Sequence, residues 1–138
     1  ALSLATIVLV AAHGLLLIGD SWLNPGLSGI AIPFTMDYRP FWTGLGTIAG
    51  YGLMILGLSY YVRKWIGPAR WRLAHRFIAV FWILGIFHTF GAGTDAGELW
   101  LQIPVAITTV PALILLGMRL GTKPAAKPAK PRRAPQRA

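Results

Sequence analysis

The amino-acid sequence predicts an all-α membrane protein, a polytopic transmembrane helix bundle with four spans. Hydrophobic residues make up 55% of the 138 residues and charged residues only 12%, whereas soluble domains have roughly a quarter charged residues. Four apolar runs are long enough for a helix to cross the ~30 Å hydrocarbon core of a bilayer. They cover residues 2–19, 44–62, 73–90 and 99–118. All acidic residues lie outside these runs, which further favours membrane insertion.

The chain has no cysteine and begins with Ala rather than Met. Without cysteine there can be no disulfide framework, no thiolate metal ligand and no c-type haem attachment. A cofactor would therefore be held by histidine, by other side chains or by the backbone. Because the first residue already opens an apolar run, we expect the N-terminal part of the domain to be missing from this sequence.

The charges between the apolar runs predict one orientation in the membrane. Residues 63–72 contain four basic residues and no acid, and the segment after the fourth run is also basic. The remaining two loops carry all the acids. Basic loops stay in the cytoplasm. We therefore expect a multi-pass protein of the cell inner (plasma) membrane with a cytoplasmic C-terminal tail and with both acidic loops outside.

The outer loop and the second apolar run have features of their own. Residues 20–41 contain three prolines and several apolar residues, and we expect this loop to pack across the bundle mouth with a short helix. Gly46, Gly50 and Gly57 form a stripe at helical spacing, which indicates close helix packing or, alternatively, room for a porphyrin face. In the fourth run, Pro104 and Pro111 predict kinks.

The chain divides by composition into two parts, a haem-binding transmembrane bundle at residues 1–121 and a tail at residues 122–138. The tail consists mainly of Lys, Arg, Pro and Ala, and such a segment cannot bury a core, so we expect disorder. Its positive charge could suggest nucleic-acid binding. Attachment to membrane spans favours contact with anionic lipids instead, at ~1 kcal/mol per charge, and we expect no nucleic-acid partner.

The three histidines, His13, His75 and His88, lie in the first and third apolar runs. An ionisable residue inside a membrane is costly and by default marks a functional site. A single buried histidine would be equally consistent with a hydrogen bond to a neighbouring helix. Three histidines without an acid in the same runs favour haem, because neutral imidazole is a common axial ligand of haem iron.

The positions of these histidines predict two levels in the membrane. The first and third helices run in the same direction, so His13 and His88 are expected at similar depth near the outer face, where they could ligate one haem. His75 precedes His88 by 13 residues and lies ~20 Å deeper at ~1.5 Å per residue. We expect its partner upstream of Ala1. In a straight helix His75 and His88 would be about 140° apart, so either the haems lie on different sides or the helix bends.

Two groups of motifs accompany the histidines. The first group is Ile32-Pro33-Phe34, Tyr38-Arg39-Pro40, Trp42 and Gly44-Leu45-Gly46. The second is Trp71-Arg72-Leu73-Ala74-His75-Arg76 together with His88 and the following Gly91-Ala92-Gly93-Thr94-Asp95. With these motifs the sequence resembles, from residue 3 to residue 120, the ferric-reductase-like transmembrane domain family. This family includes the cytochrome b cores of ferric reductases and NADPH oxidases and the haem-binding subunit of bacterial methionine-sulfoxide reductase systems.

The resemblance implies that His13, His75 and His88 are axial ligands of one or two haem b groups, with iron as the metal. It also implies that the usual partner of His75 is a histidine upstream of this sequence. Relatives often continue into a cytoplasmic flavin and nicotinamide domain, whereas this chain ends in a basic tail. Electrons would therefore come from a separate flavoprotein or from quinol.

The predicted function is that of a membrane cytochrome b, the electron-transfer subunit of an oxidoreductase, with an acceptor or reductase on the outer face. Haem supplies one-electron chemistry, and the protein supplies ligands, orientation and an apolar surround. Arg72 and Arg76 are candidates for the propionates of an inner haem and Arg39 for those of an outer one, with lipid headgroups as the alternative contact. A non-redox assembly or transport subunit, with structurally buried histidines, is the alternative function.

Overall fold

In the computed structural model, residues 2–121 are described, and their secondary structure is helical, with no strand among them. The predicted basic tail at residues 122–138 lies outside the described residues. The helices are α1 (Leu2–Ile18), α2 (Gly26–Ala31), α3 (Pro40–Leu58), α4 (Arg63–Ile66), α5 (Pro68–His75), α6 (Ile78–Ala92) and α7 (Leu99–Gly121). The predicted all-α class is confirmed.

Three helical segments are long and apolar enough to cross a membrane: Pro40–Leu58, Pro68–Ala92 and Leu99–Gly121. The helix α1 is also apolar, but it has 17 residues and measures about 25 Å at 1.5 Å per residue, against the ~30 Å hydrocarbon core. Three of the four predicted spans are therefore matched by helical segments of spanning length. The first predicted span is a shorter apolar helix.

The apolar side chains of the described chain lie mostly on its outside. Of its hydrophobic residues only Met36 and Ala49 are buried, whereas large ones such as Leu9, Leu16 and Leu120 are exposed. An apolar surface of this extent is unfavourable in water. In a bilayer it has no such cost, because lipid tails are as apolar as leucine. The distribution supports lipid as the solvent of this protein.

The chain divides into two compact units, and the boundary along the sequence falls between Glu98 and Leu99. The second unit contains the single described helix α7, and this helix continues through both Pro104 and Pro111. Within it, the Thr108 hydroxyl donates a hydrogen bond to the Pro104 carbonyl at 2.9 Å. All three histidines belong to the first unit, which therefore contains the candidate site.

Two helices of the first unit begin with a proline, a few residues before the apolar runs that predicted them. Pro40 opens α3 and Pro68 opens α5, whereas the apolar runs start at residues 44 and 73. Proline suits the first helical position because its φ is already helical and its missing N–H would have no partner there. The helices therefore extend into residues that hydropathy alone assigns to loops.

The third predicted span is interrupted directly after its first histidine. The helix α5 ends at His75, and α6 begins at Ile78. Between them, Phe77 N–H bonds to the Ala74 carbonyl and Val80 N–H to the Phe77 carbonyl, each at 3.0 Å. These bonds to the third preceding residue tighten the backbone into a 3₁₀-type turn. The span is thus two helices joined by a turn, rather than one straight helix.

The outer loop contains the expected short helix, α2, which packs against α1 and α3. From α1, Gly14 lies beside Ile30: a Cβ at Gly14 would be 3.5 Å from Ile30 Cγ2. From α3, the Thr47 hydroxyl approaches the Ile30 carbonyl at 3.5 Å, and the Tyr51 hydroxyl donates to the Ala31 carbonyl at 2.6 Å. The predicted short helix is confirmed, and packing of the loop across the bundle mouth stays a prediction.

The glycine stripe of α3 serves helix packing. A Cβ at Gly57 would lie 2.8 Å from Ile7 Cδ1, and one at Gly50 would lie 3.3 Å from Val10 Cγ1. Both glycines therefore let α1 approach α3 closely. Gly46 faces α6 instead, where its neighbour is the His88 ring. The packing interpretation of the stripe is confirmed.

Candidate functional site

The side chains of His13 and His88 meet. Their ring centroids are 6.2 Å apart and their planes are inclined by 75°. His13 lies five residues before the end of α1 and His88 four residues before the end of α6, so the two helices present them at matching heights. The juxtaposition predicted from the shared direction of these helices is confirmed.

The His88 imidazole is fixed by the backbone of α3. Its Nδ1 is 3.0 Å from the Trp42 carbonyl oxygen. A carbonyl can only accept a hydrogen bond, so Nδ1 carries the proton and donates it, and Nε2 keeps a free lone pair. Metal-binding histidines usually donate their other ring N–H in this way. His88 is therefore held in the tautomer that can bind a metal through Nε2.

Further contacts between α3 and α6 surround this hydrogen bond. The Trp42 indole lies over Gly91, where a Cβ would come within 2.1 Å of Trp42 Cδ2. Arg39 Nη1 donates to the Gly91 carbonyl at 2.7 Å. Arg39 also precedes α3 in the left-handed conformation, at φ 44°. The motif residues on either side of Pro40 thus contact those that follow His88.

The spacing of the two imidazoles suits a metal ion between them. With metal–nitrogen bonds of ~2.0 Å and ~1.1 Å from nitrogen to ring centre, two imidazoles on opposite sides of one ion have centroids ~6.2 Å apart. Within the described residues no group of three His, Cys, Asp or Glu side chains could hold a bare metal ion. A haem needs only axial ligands from the protein, and the pair fits that requirement.

His75 lies in a different environment, on a cavity of about 540 Å³. The wall of this cavity includes Leu4 and Ile7 from α1, Leu53 and Gly57 from α3, and the side chain of Trp71 beside His75. The cavity beside His75 thus extends to the first turns of α1, whereas His88 meets His13 near the other end of that helix. The two levels predicted for the histidines agree with this arrangement.

The His75 ring is stacked on Trp71, with centroids 4.7 Å apart and planes 22° from parallel. Trp71 is itself held by a hydrogen bond from its Nε1 to the Ser59 hydroxyl at 3.0 Å. The Nδ1 atom of His75 is buried and has no hydrogen-bond partner among the described residues. A buried polar atom without a partner costs ~1–3 kcal/mol, so the unpaired Nδ1 makes His75 a candidate functional residue.

The third span is interrupted between His75 and His88. In a straight helix the side chains of His75 and His88 would be about 140° apart. The sequence therefore predicted either two sites on different sides of the helix or a bend in it. Both side chains instead have neighbours on α1 and α3. The turn at Arg76 and Phe77 separates the two helical segments, so the third span is not one straight helix.

The three candidate arginines differ in their surroundings. Arg39 lies near His88 through its bond to Gly91, so it is at the level of the histidine pair. Arg72 and Arg76 are exposed and lie within three residues of His75.

Sequence reasoning missed Gly46 and the Trp42 carbonyl as functional groups. Gly46 stood in the glycine stripe and in a family motif but without a role toward His88, and a main-chain carbonyl has no signature in the sequence.

Tyr60 is a second residue that sequence reasoning missed. Its ring lies on the cavity wall, packs edge-on against Trp71 with centroids 6.1 Å apart, and carries the Arg63 guanidinium 3.8 Å from its centroid. The aromatic wall of the His75 cavity therefore ends beside a basic residue.

No family model, no curated protein and no solved structure matches this chain.

Proposed function

We propose that this chain is a membrane cytochrome b subunit that carries electrons across the bilayer through histidine-ligated haem b. In this proposal His13 and His88 are the axial ligands of one haem near the outer face. The donor is a separate flavoprotein or quinol on the cytoplasmic side, and the acceptor is a molecule or reductase outside. The proposal includes four spans, with α1 as the first, and membership of the ferric-reductase-like transmembrane family.

The observation that carries the proposal is the histidine pair itself. Its rings are 6.2 Å apart, and one of them is already oriented by a carbonyl that leaves its Nε2 free. A haem bound here would supply one-electron chemistry. The protein's part would be to supply the two imidazoles as ligands, to fix the tautomer of His88 and to surround the site with apolar side chains.

The position of His13 adds support. This side chain is exposed on the first unit, and the ring contact that the structure gives it is with His88. An imidazole at membrane depth without polar partners is costly. Ligation of a metal would give the His13 imidazole a polar partner. A structural role alone would require a hydrogen-bond partner for His13.

The cavity at His75 is proposed as the inner site of the same pathway. It lies beside residues 63–76, a segment rich in Arg and Lys, and the positive-inside rule assigns such a segment to the cytoplasm. With one imidazole on its wall among the described residues, it could take a second haem when an upstream histidine supplies the other ligand. Arg72 and Arg76, adjacent to His75 in sequence, are the proposed contacts for its propionates.

An absorption spectrum of the protein purified in detergent from haem-sufficient cells tests the proposal. We expect the reduced-minus-oxidised bands of six-coordinate b-type haem, removable by acid and organic solvent because the chain has no cysteine to tether it. Folded but colourless protein would contradict the proposal and favour the alternative of a non-redox assembly or transport subunit. The hydrogen bond from His88 to Trp42 is compatible with that alternative.

A further inference from the structure

The His88 ring occupies space that is free only because residue 46 is glycine. A Cβ at Gly46 would lie 2.3 Å from Nδ1 and 2.6 Å from Cε1 of His88, far inside the ~3.5 Å at which nonbonded atoms attract. The imidazole can therefore not stay where it is once residue 46 has a side chain. The contact is with a rigid ring, which cannot give way by bending.

The same approach brings Nδ1 within hydrogen-bond distance of the Trp42 carbonyl, one helical turn before Gly46. A helical carbonyl has a second lone pair beyond the one used inside the helix. A donor on α6 can reach that lone pair only where no side chain of α3 lies between the donor and the carbonyl. Gly46 thus opens the path between the imidazole and the carbonyl.

The acceptor is itself held in place from α6. The Trp42 indole lies over Gly91, and Arg39 donates to the Gly91 carbonyl at 2.7 Å. Gly91 follows His88 by three residues and so lies on the same side of α6. The first turn of α3 is therefore fixed against α6 at the point where the His88 hydrogen bond forms.

We propose that Gly46 is a positioning residue, which lets the Trp42 carbonyl accept the Nδ1 proton of His88 and thereby sets the tautomer and donor strength of that imidazole. Hydrogen bonding of this kind raises the basicity of a metal-bound imidazole. The effect on iron rests on the proposed function, whereas the effect on the tautomer does not. A stronger imidazole donor favours ferric over ferrous iron, so the hydrogen bond lowers the reduction potential.

The test compares Gly46→Ala with Gly52→Ala, a matched control on the same helix. A Cβ at Gly52 would lie 2.2 Å from the Phe81 ring of α6, so both variants crowd an aromatic ring at the α3–α6 interface, but only one crowds a histidine. The ¹⁵N spectra of histidine-labelled protein without haem report the tautomer. Haem titration and redox potentiometry of the loaded protein report the effect on the ligand.

We expect wild type and Gly52→Ala to hold His88 protonated at Nδ1, and Gly46→Ala to lose this tautomer. Gly46→Ala should also bind haem ten- to a hundredfold more weakly, the usual effect of losing such a partner, with a raised potential for the haem that remains. If Gly46→Ala does not accumulate, Gly91→Ala replaces it, because it displaces the Trp42 ring without crowding His88.

An unchanged tautomer in Gly46→Ala, or Nε2 protonation of His88 in wild type, would overturn the assignment. Equal changes in potential for Gly46→Ala and Gly52→Ala would also overturn it, because general loosening of the interface would then be sufficient. Wild-type protein that takes up no haem contradicts the proposed function instead. In that case the ¹⁵N spectra alone decide the role of Gly46.

Discussion

The Tyr51 hydroxyl donates a hydrogen bond to the Ala31 carbonyl across 2.6 Å. Ala31 is the last residue of α2, and the last carbonyls of a helix have no partner within it. Tyr51 lies eleven residues into α3, about 16 Å from its first residue at ~1.5 Å per residue. The end of α2 therefore lies deep along α3, where a polar backbone group needs a protein partner because the bilayer provides no water.

Replacing Tyr51 with Phe should detach the end of α2 from α3. The Ala31 carbonyl would lose its donor while the ring stays, and in a bilayer, which provides no water, an unsatisfied backbone group costs several kcal/mol. Unfolding followed by circular dichroism in detergent should show a lower midpoint. Tyr61→Phe, which removes the hydroxyl from an exposed ring, should leave the midpoint unchanged. Equal effects of the two variants would count against an anchoring role for Tyr51.

The histidines should contribute unequally to the haem spectrum. His13→Ala and His88→Ala should each remove the same spectral component, since each takes one axial ligand from a shared haem. Because His13 is exposed, added imidazole should restore six-coordination more readily in His13→Ala than in His88→Ala. Difference spectra and haem content per protein provide the measurement.

His75→Ala should affect a different component, and only in protein that includes the segment upstream of residue 1. In the 138-residue chain the inner haem should be weak or absent, because the described residues around His75 offer one imidazole. The two-level arrangement fails if His75→Ala removes the same component as His88→Ala in both proteins. One haem near the middle of the helices would then explain the data better.

Reporter fusions test the proposed orientation. A reporter after Ala138 or near Gly67 should register as cytoplasmic, and one near Gly26 or Ala96 as external, because the loop with four basic residues should stay inside. External labelling at Gly67 would reverse the inner and outer assignments of the two histidine sites. It would leave the contact between His13 and His88 unaffected.

Deleting residues 122–138 should leave the haem spectrum unchanged. This segment contains no aromatic and no acidic residue, and a Lys/Pro/Ala segment does not contribute to a packed core. Binding to vesicles that contain anionic lipid should weaken by ~1 kcal/mol for each positive charge removed near the surface. Loss of bound haem on deletion would show that the tail belongs to the folded domain.

Much of the fold follows from hydropathy and from chain direction. The meeting of His13 and His88 could be predicted because two parallel helices place residues at equal distances from their ends side by side. The proline starts of α3 and α5 could also have been predicted, since proline at the first helical position is a known signal. Apolar length alone concealed these starts, because Pro40 follows Arg39 and Pro68 lies two residues before Arg70.

Other features had no signal in the sequence. The turn at Arg76 and Phe77 contains neither proline nor glycine, so helix propensity gave no reason to interrupt the span there. The partner of His88 is a main-chain carbonyl, which every residue possesses. Its selection depends on the position of Gly46 against α6, which is a property of tertiary packing.

The turn after His75 also has a consequence for motion. Amide protons in a tightened turn of this kind lack the hydrogen bonds to the fourth preceding residue that protect a regular α-helix. Local opening of the turn therefore unfolds fewer residues than local opening inside α6. The segments α5 and α6 can therefore tilt separately about residues 76 and 77. His75 can then shift as its cavity fills while His88 keeps its hydrogen bond to α3.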